Sequence, residues 1–178
     1  MTTKQLRRTP AGNDPLAVIS RQLASYAERG VFRSFSRIPA AKQAGTQTGA
    51  ADRAEFRFSW LWNLPFHLAF DRRKNAITFP QLFPNINAGS ELEAELKAFI
   101  RKLSSRDRPE HRRLDPQRIT VRYSKRGNSG SLAFLVAGNH YEYAVKKALN
   151  SVHEIFVGFL NLRHGEYMRE NLRVPEET

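Results

Sequence analysis

The sequence predicts an α+β domain: an antiparallel sheet of five to six strands, helices packed on one face, and a long C-terminal helix. Three observations carry this. In residues 53–62 the aromatics Phe56, Phe58, Trp60 and Trp62 alternate with Glu55, Arg57 and Ser59, which is the two-residue period of a strand with one apolar face. Residues 90–104 open with Ser90 and Glu93, a capping box, and continue with Leu92, Leu96, Phe99, Ile100 and Leu103 at helical spacing. From Tyr141 the apolar positions Val145, Ala148, Leu149, Val152, Ile155, Phe156, Phe159 and Leu160 hold that spacing to about residue 163, a helix about 35 Å long that spans the face of a sheet. The 178 residues suit one domain with short arms. Runs of strands bracketed by helices favour an antiparallel sheet over a doubly wound parallel one.

The elements follow in order. Residues 1–13 read as a flexible basic tail. Asp14 and Pro15 signal a helix start, Leu16, Ile19, Leu23 and Tyr26 give its apolar face, and Gly30 suits its end. Residues 31–38 form a strand without clean alternation, and 39–52, rich in Ala, Gly, Thr and Gln, form a mobile loop. The strand at 53–62 turns at Asn63, Leu64 and Pro65, returns through Phe66, Leu68 and Phe70, turns again over 71–75 and continues through 76–79. Two prolines in PQLFPNIN exclude that segment from a central strand, since proline cannot donate to the ladder. After the helix at 91–104, the charged segment 105–116 reads as a second mobile loop. Residues 118–124 and 131–137 form a hairpin across KRGNSG. Asn139 and Glu142 suggest a second capping box, Gly165 suits the end of the long helix, and 166–172 add a short turn before a tail at 173–178. One core is expected to hold Phe58, Trp60, Trp62, Leu96, Phe99, Val152 and Phe156.

Composition narrows the chemistry. The chain has no cysteine, which removes disulfides and thiolate ligands and suits a reducing, cytoplasmic setting. Its longest apolar run, 132–137, is far too short for a membrane span. The formal charge is +12, with 21 arginines among 29 basic residues. The excess gathers in residues 1–53 and 106–130. Guanidinium forks match phosphate oxygens, so the leading expectation is a non-catalytic binding domain for an anionic partner. Nucleic acid is the first candidate, contacted by Arg106, Arg108, Arg112, Arg113, Arg122, Lys125 and Arg126.

No nucleotide-cofactor fingerprint follows any strand, and no G-x-S-x-G elbow or HExxH pair is present. His67, His111, His140, His153 and His164 share no metal-ligand spacing. The sequence therefore supplies no catalytic residue, no cofactor and no metal, and an enzyme remains only as a site assembled by folding. The alternative class is a protein-interaction module that dimerises or binds a protein through Leu82, Phe83 and Ile86. The order helix, meander, helix, hairpin and long terminal helix resembles, in architecture and without a shared motif, the small secretion-chaperone-like adaptors, which implies that class. The order over 15–104 is also similar to a double-stranded-RNA-binding domain, but its second helix begins Ser90, Glu91, Leu92, Glu93 where a phosphate-binding helix needs cations.

Overall fold

A computed structural model describes residues 14–39 and 52–175; the expected tail at 1–13, most of the loop at 39–52 and residues 176–178 lie outside the described residues. Helix α1 (Pro15–Glu28) starts where the Asp14 carboxylate accepts from the Ala17 N–H. Four strands follow as a meander, β1 (Arg33–Ile38), β2 (Arg53–Trp60), β3 (Leu64–Asp71) and β4 (Ala76–Phe83). Helix α2 (Glu91–Lys102) then leads to the hairpin β5 (Ile119–Arg126) and β6 (Ser129–Val136). All pairings are antiparallel, in the order β1-β2-β3-β4-β6-β5. The expected α+β sheet with helices on one face is present.

Alternation divides the sheet into a core face and a polar face. Phe56, Phe58, Phe66, Leu68, Phe70, Ile77, Phe79, Leu132 and Phe134 are all buried under the helices. The opposite face carries the row Glu55, Ala69, Thr78, Ala133 and Arg122, set side by side by the register. Strand β1 lacks clean alternation because Ser34 takes a positive φ of 52° and the register shifts between Arg33 and Ser36.

The long helix is continuous over 23 residues, but it is not uniform. After α3 (Tyr141–His153), residues Glu154–Leu160 wind as a π segment before α4 (Asn161–Arg163). It ends at His164, and Gly165 is the first residue of α5 (Gly165–Leu172). Asn139 does not cap α3: His140 holds that position, and no side chain bonds the open donors.

One turn and one strand differ from expectation. The β2–β3 turn is Leu61, Trp62 and Asn63, all left-handed with φ of 39°, 55° and 62°, so Trp62 leaves the aromatic alternation and Pro65 lies inside β3. Trp60, Trp62 and Phe99 pack against the core only partly buried, whereas Phe58, Leu96, Val152 and Phe156 are fully inside it. Strand β4 runs through Pro80 although it lies between β3 and β6. The bond from Arg72 N–H to Asp52 O (2.7 Å) and that from Val136 N–H to Asn75 O (2.8 Å) set the parity of the ladders. With the registers, they turn the backbone groups of Ala76 and Thr78 toward Asp71 and Ala69 of β3. The next pair would be Pro80 with His67, and proline has no N–H to give it. The β3–β4 ladder stops after Thr78 and Ala69. Gln81 then takes φ 52° and donates its N–H to Ser131 Oγ (2.9 Å), and β4 rejoins β6 at Phe83 and Gly130.

Candidate anion-binding cleft

Folding separates the seven basic residues singled out from the sequence into four groups. Arg122 and Arg126 are exposed on the polar face of the sheet. Lys125 faces the helices and lies 3.4 Å from Glu93 Oε2. Arg108 donates to Glu154 and to the Arg112 carbonyl (3.3 Å), and Arg112 Nε lies 3.6 Å from the other Glu154 oxygen. Glu154 therefore neutralises two of the seven. Only Arg106 and Arg113 open onto a common cleft.

That cleft, of about 630 Å³, lies between the 104–118 segment and the first turns of α3. The segment is held against the body of the protein by local and tertiary bonds. Leu114 is buried and its N–H bonds to Leu103 O at 2.9 Å, and the Asp115 N–H donates to Tyr143 Oη at 3.0 Å. Besides Arg106 and Arg113 the lining includes Arg118, Lys146 and Lys147, opposed by Glu110 and Asp115. Asp115 is engaged by Arg118 at 3.3 Å.

Lys147 is the unusual member. It is 8% exposed, and its ammonium donates to the His111 carbonyl at 2.7 Å and lies 5.6 Å from the Tyr143 ring centre. No carboxylate pairs with it among the described residues. Burial pushes its pKa below the usual lysine value and the neighbouring Lys146 adds to that, while Glu154 acts the other way. A buried ammonium carrying one neutral hydrogen bond has donors left over, and a cleft holding five cations against two carboxylates is suited to an anion. Arg118, Lys146 and Lys147 were not singled out from the sequence. The available signal was the run Tyr143, Lys147, Ser151 and Glu154, a polar line at helical spacing beside the apolar stripe Val145, Ala148, Leu149 and Val152.

A contrasting charge cluster lies at the start of α2. Ser90 Oγ accepts from the Glu93 N–H (3.2 Å), and Glu93 Oε1 reaches back to the Gly89 N–H (3.4 Å), one residue beyond the usual capping box. Glu93, 5% exposed, also takes Lys97 at 3.0 Å, Lys125 and the Tyr123 hydroxyl at 3.2 Å. These donors, Lys97 foremost, hold its pKa at about 2. Burial and the facing Glu93 raise the Tyr123 phenol to about 12.

The apolar surface expected from Leu82, Phe83 and Ile86 is not available. Phe83 and Ile86 are fully buried and Leu82 is 9% exposed, because the bulge at Gln81 turns the segment back onto the sheet and Phe83 stacks on Phe156 with ring centres 5.9 Å apart. Among the described residues the exposed large hydrophobics are Val31 and Leu162. Among those residues, too, no three metal-ligating side chains come together, and no helix is long and apolar enough to cross a membrane. Compared with protein-family models, with curated proteins and with solved structures, the chain matches none.

Proposed function

We propose that the protein is a non-catalytic binding domain for a phosphate-bearing anion, with nucleic acid the first polyanion to test, and that the cleft at Lys147 is its contact point. The observation that carries this reading is the buried Lys147 ammonium without a carboxylate, facing a cleft in which three further cations, Arg106, Arg113 and Lys146, also lack carboxylate partners among the described residues, while Arg118 is paired with Asp115. A bound phosphate would supply the missing acceptor and stabilise the charged lysine. Arg108, Arg112 and Lys125 drop out of the contact set because their charge is already answered within the fold. The scarcity of exposed large hydrophobics favours this over an apolar protein-interaction surface.

The test is the affinity of the full chain for single- and double-stranded DNA and RNA at two salt concentrations. On duplex DNA, log K falls with log salt by about 0.9 per phosphate contacted. Arg106→Ala with Arg113→Ala is expected to weaken binding at least tenfold and flatten the slope, while Arg122→Ala with Arg126→Ala on the polar face changes neither. Absence of binding at low salt overturns the reading.

A further inference from the structure

A second cleft, of about 680 Å³, opens where the β3–β4 ladder stops. We propose that it is a binding site for a small carboxylic acid with an apolar body, held by its carboxylate at Arg173. Four observations meet there.

The first is the breach itself. Beyond Thr78 and Ala69 the two strands share no register pair, so the Leu64–His67 half of β3 has no ladder partner on the β4 side. Second, Trp62, Leu64, Phe66, Leu82, Phe156 and Leu172 form the apolar part of the wall, beside the polar Asn63, Gln81 and Asn171, and the volume is within the range of roughly 300–1,000 Å³ common to small-molecule sites. The third is conformational: Trp62, Asn63, Gln81 and Arg173 all line the cleft and all have φ between 52° and 62°. Left-handed non-glycine residues carry strain that surrounding structure must hold in place, and they gather at ligand sites. The π segment belongs to the same place, since it carries Phe156 to Phe66 with ring centres 5.4 Å apart, and π segments recur at functional sites.

The fourth observation fixes the ligand's charge. Arg173, the C-cap of α5, is exposed and has no carboxylate partner among the described residues, and no carboxylate lines the cleft. His67, also in the lining, has a buried Nε2 that faces Glu55 Oε2 at 3.6 Å, too long for a hydrogen bond. Burial pushes its pKa below the usual histidine value, with Arg57 and Arg53 acting in the same direction and Glu55 against it. Arg173 is therefore the permanent positive charge at the cleft, and the walls accept a hydrocarbon.

Decanoate and decanol, which share a chain and differ in the head group, separate the two parts of the proposal. Decanoate is expected to saturate the full chain at one equivalent in calorimetry and to change its tryptophan emission, a change that Trp62→Phe reduces. Arg173→Gly removes the guanidinium while keeping a residue that tolerates the left-handed backbone. It should weaken decanoate about tenfold, the value of one charge-assisted hydrogen bond, and leave decanol unchanged. Leu172→Glu, which puts a carboxylate in the wall, should abolish decanoate binding. Failure of the parent protein to bind decanoate overturns the proposal, as does an Arg173→Gly variant that binds it with unchanged affinity or loses both ligands equally. The variants leave Lys147 and its neighbours untouched, so the nucleic-acid assay reads the other cleft independently.

Discussion

Glu93 and Lys147 are both charged, both nearly buried, and both carried on helices packed against the same sheet, yet they are finished differently. Glu93 receives Lys97, Lys125, Tyr123 and the Gly89 N–H. Lys147 receives one carbonyl and faces further cations. A buried charge that is fully answered is architecture, because its partners are in the fold. One left with unused donors has room for an acceptor from outside the fold, and that is the ground of the proposed anion site. The comparison also shows what counting basic residues along the chain leaves out: Lys125 is paired with Glu93, and Arg108 and Arg112 with Glu154.

The largest effect should come from breaking the answered side. Glu93→Ala leaves Lys97, Lys125 and the Tyr123 hydroxyl without their acceptor and removes the reach-back to Gly89, so its thermal midpoint should fall more than that of any variant below. Acid tests the same cluster without mutation. The folded-state pKa of Glu93 is depressed from 4.5 to about 2, so its contribution is fully present above the unfolded value and is lost as pH falls from about 4.5 toward 2. Denaturation curves at several pH values should show that loss in the parent chain and a smaller one in Glu93→Gln.

Gly130→Ala is expected to destabilise by about 1–3 kcal/mol. A Cβ there would lie 2.7 Å from Tyr123 Cε2, displacing the ring whose hydroxyl serves Glu93, and urea denaturation measures it. The smallest effect on stability is predicted for the unanswered side: Lys147→Met should be neutral or stabilising by about 1 kcal/mol, yet it should weaken anion binding. The pH dependence has the same sense as that of Glu93, since both folded-state pKa values are lowered, but here a penalty is relieved as pH rises through the alkaline range, where Glu93 gains its stabilisation as pH rises through the acid range. The lysine's folded-state pKa is lowered, so between that value and the unfolded one the unfolded chain holds more protons, and stability rises with pH through the window. A phosphate ligand should raise the lysine's pKa again, which amine-proton NMR with and without inorganic phosphate detects. A large loss of stability in Lys147→Met would break the contrast.

Much of the fold was legible because it rests on periodicity. The Phe56 and Phe58 alternation, the Ser90–Glu93 capping box and the apolar spacing of 141–163 each report a local regularity that tertiary contacts reinforce. What escaped was the response of one element to another. PQLFPNIN reads as a non-strand because proline is poor in a ladder, but the strand keeps Pro80 by giving up its pairing to β3 and bulging at Gln81. The π segment left no mark either, since Ile155, Phe156, Phe159 and Leu160 keep a four-residue spacing that both α and π winding accommodate. In the site, Arg106 and Arg113 were visible as part of a charged run, while Lys147 reads as one of two adjacent helical lysines and only packing buries it.

The sequence by itself determined the class of fold and the helix starts at Asp14 and Ser90, because side-chain alternation and capping act over a few residues. Tertiary structure alone decided which charges meet. Coulomb pairing depends on distances between segments far apart in the chain, such as Arg108 with Glu154 and Lys125 with Glu93. For that reason only the folded protein separates the cations already answered from those still facing an open cleft.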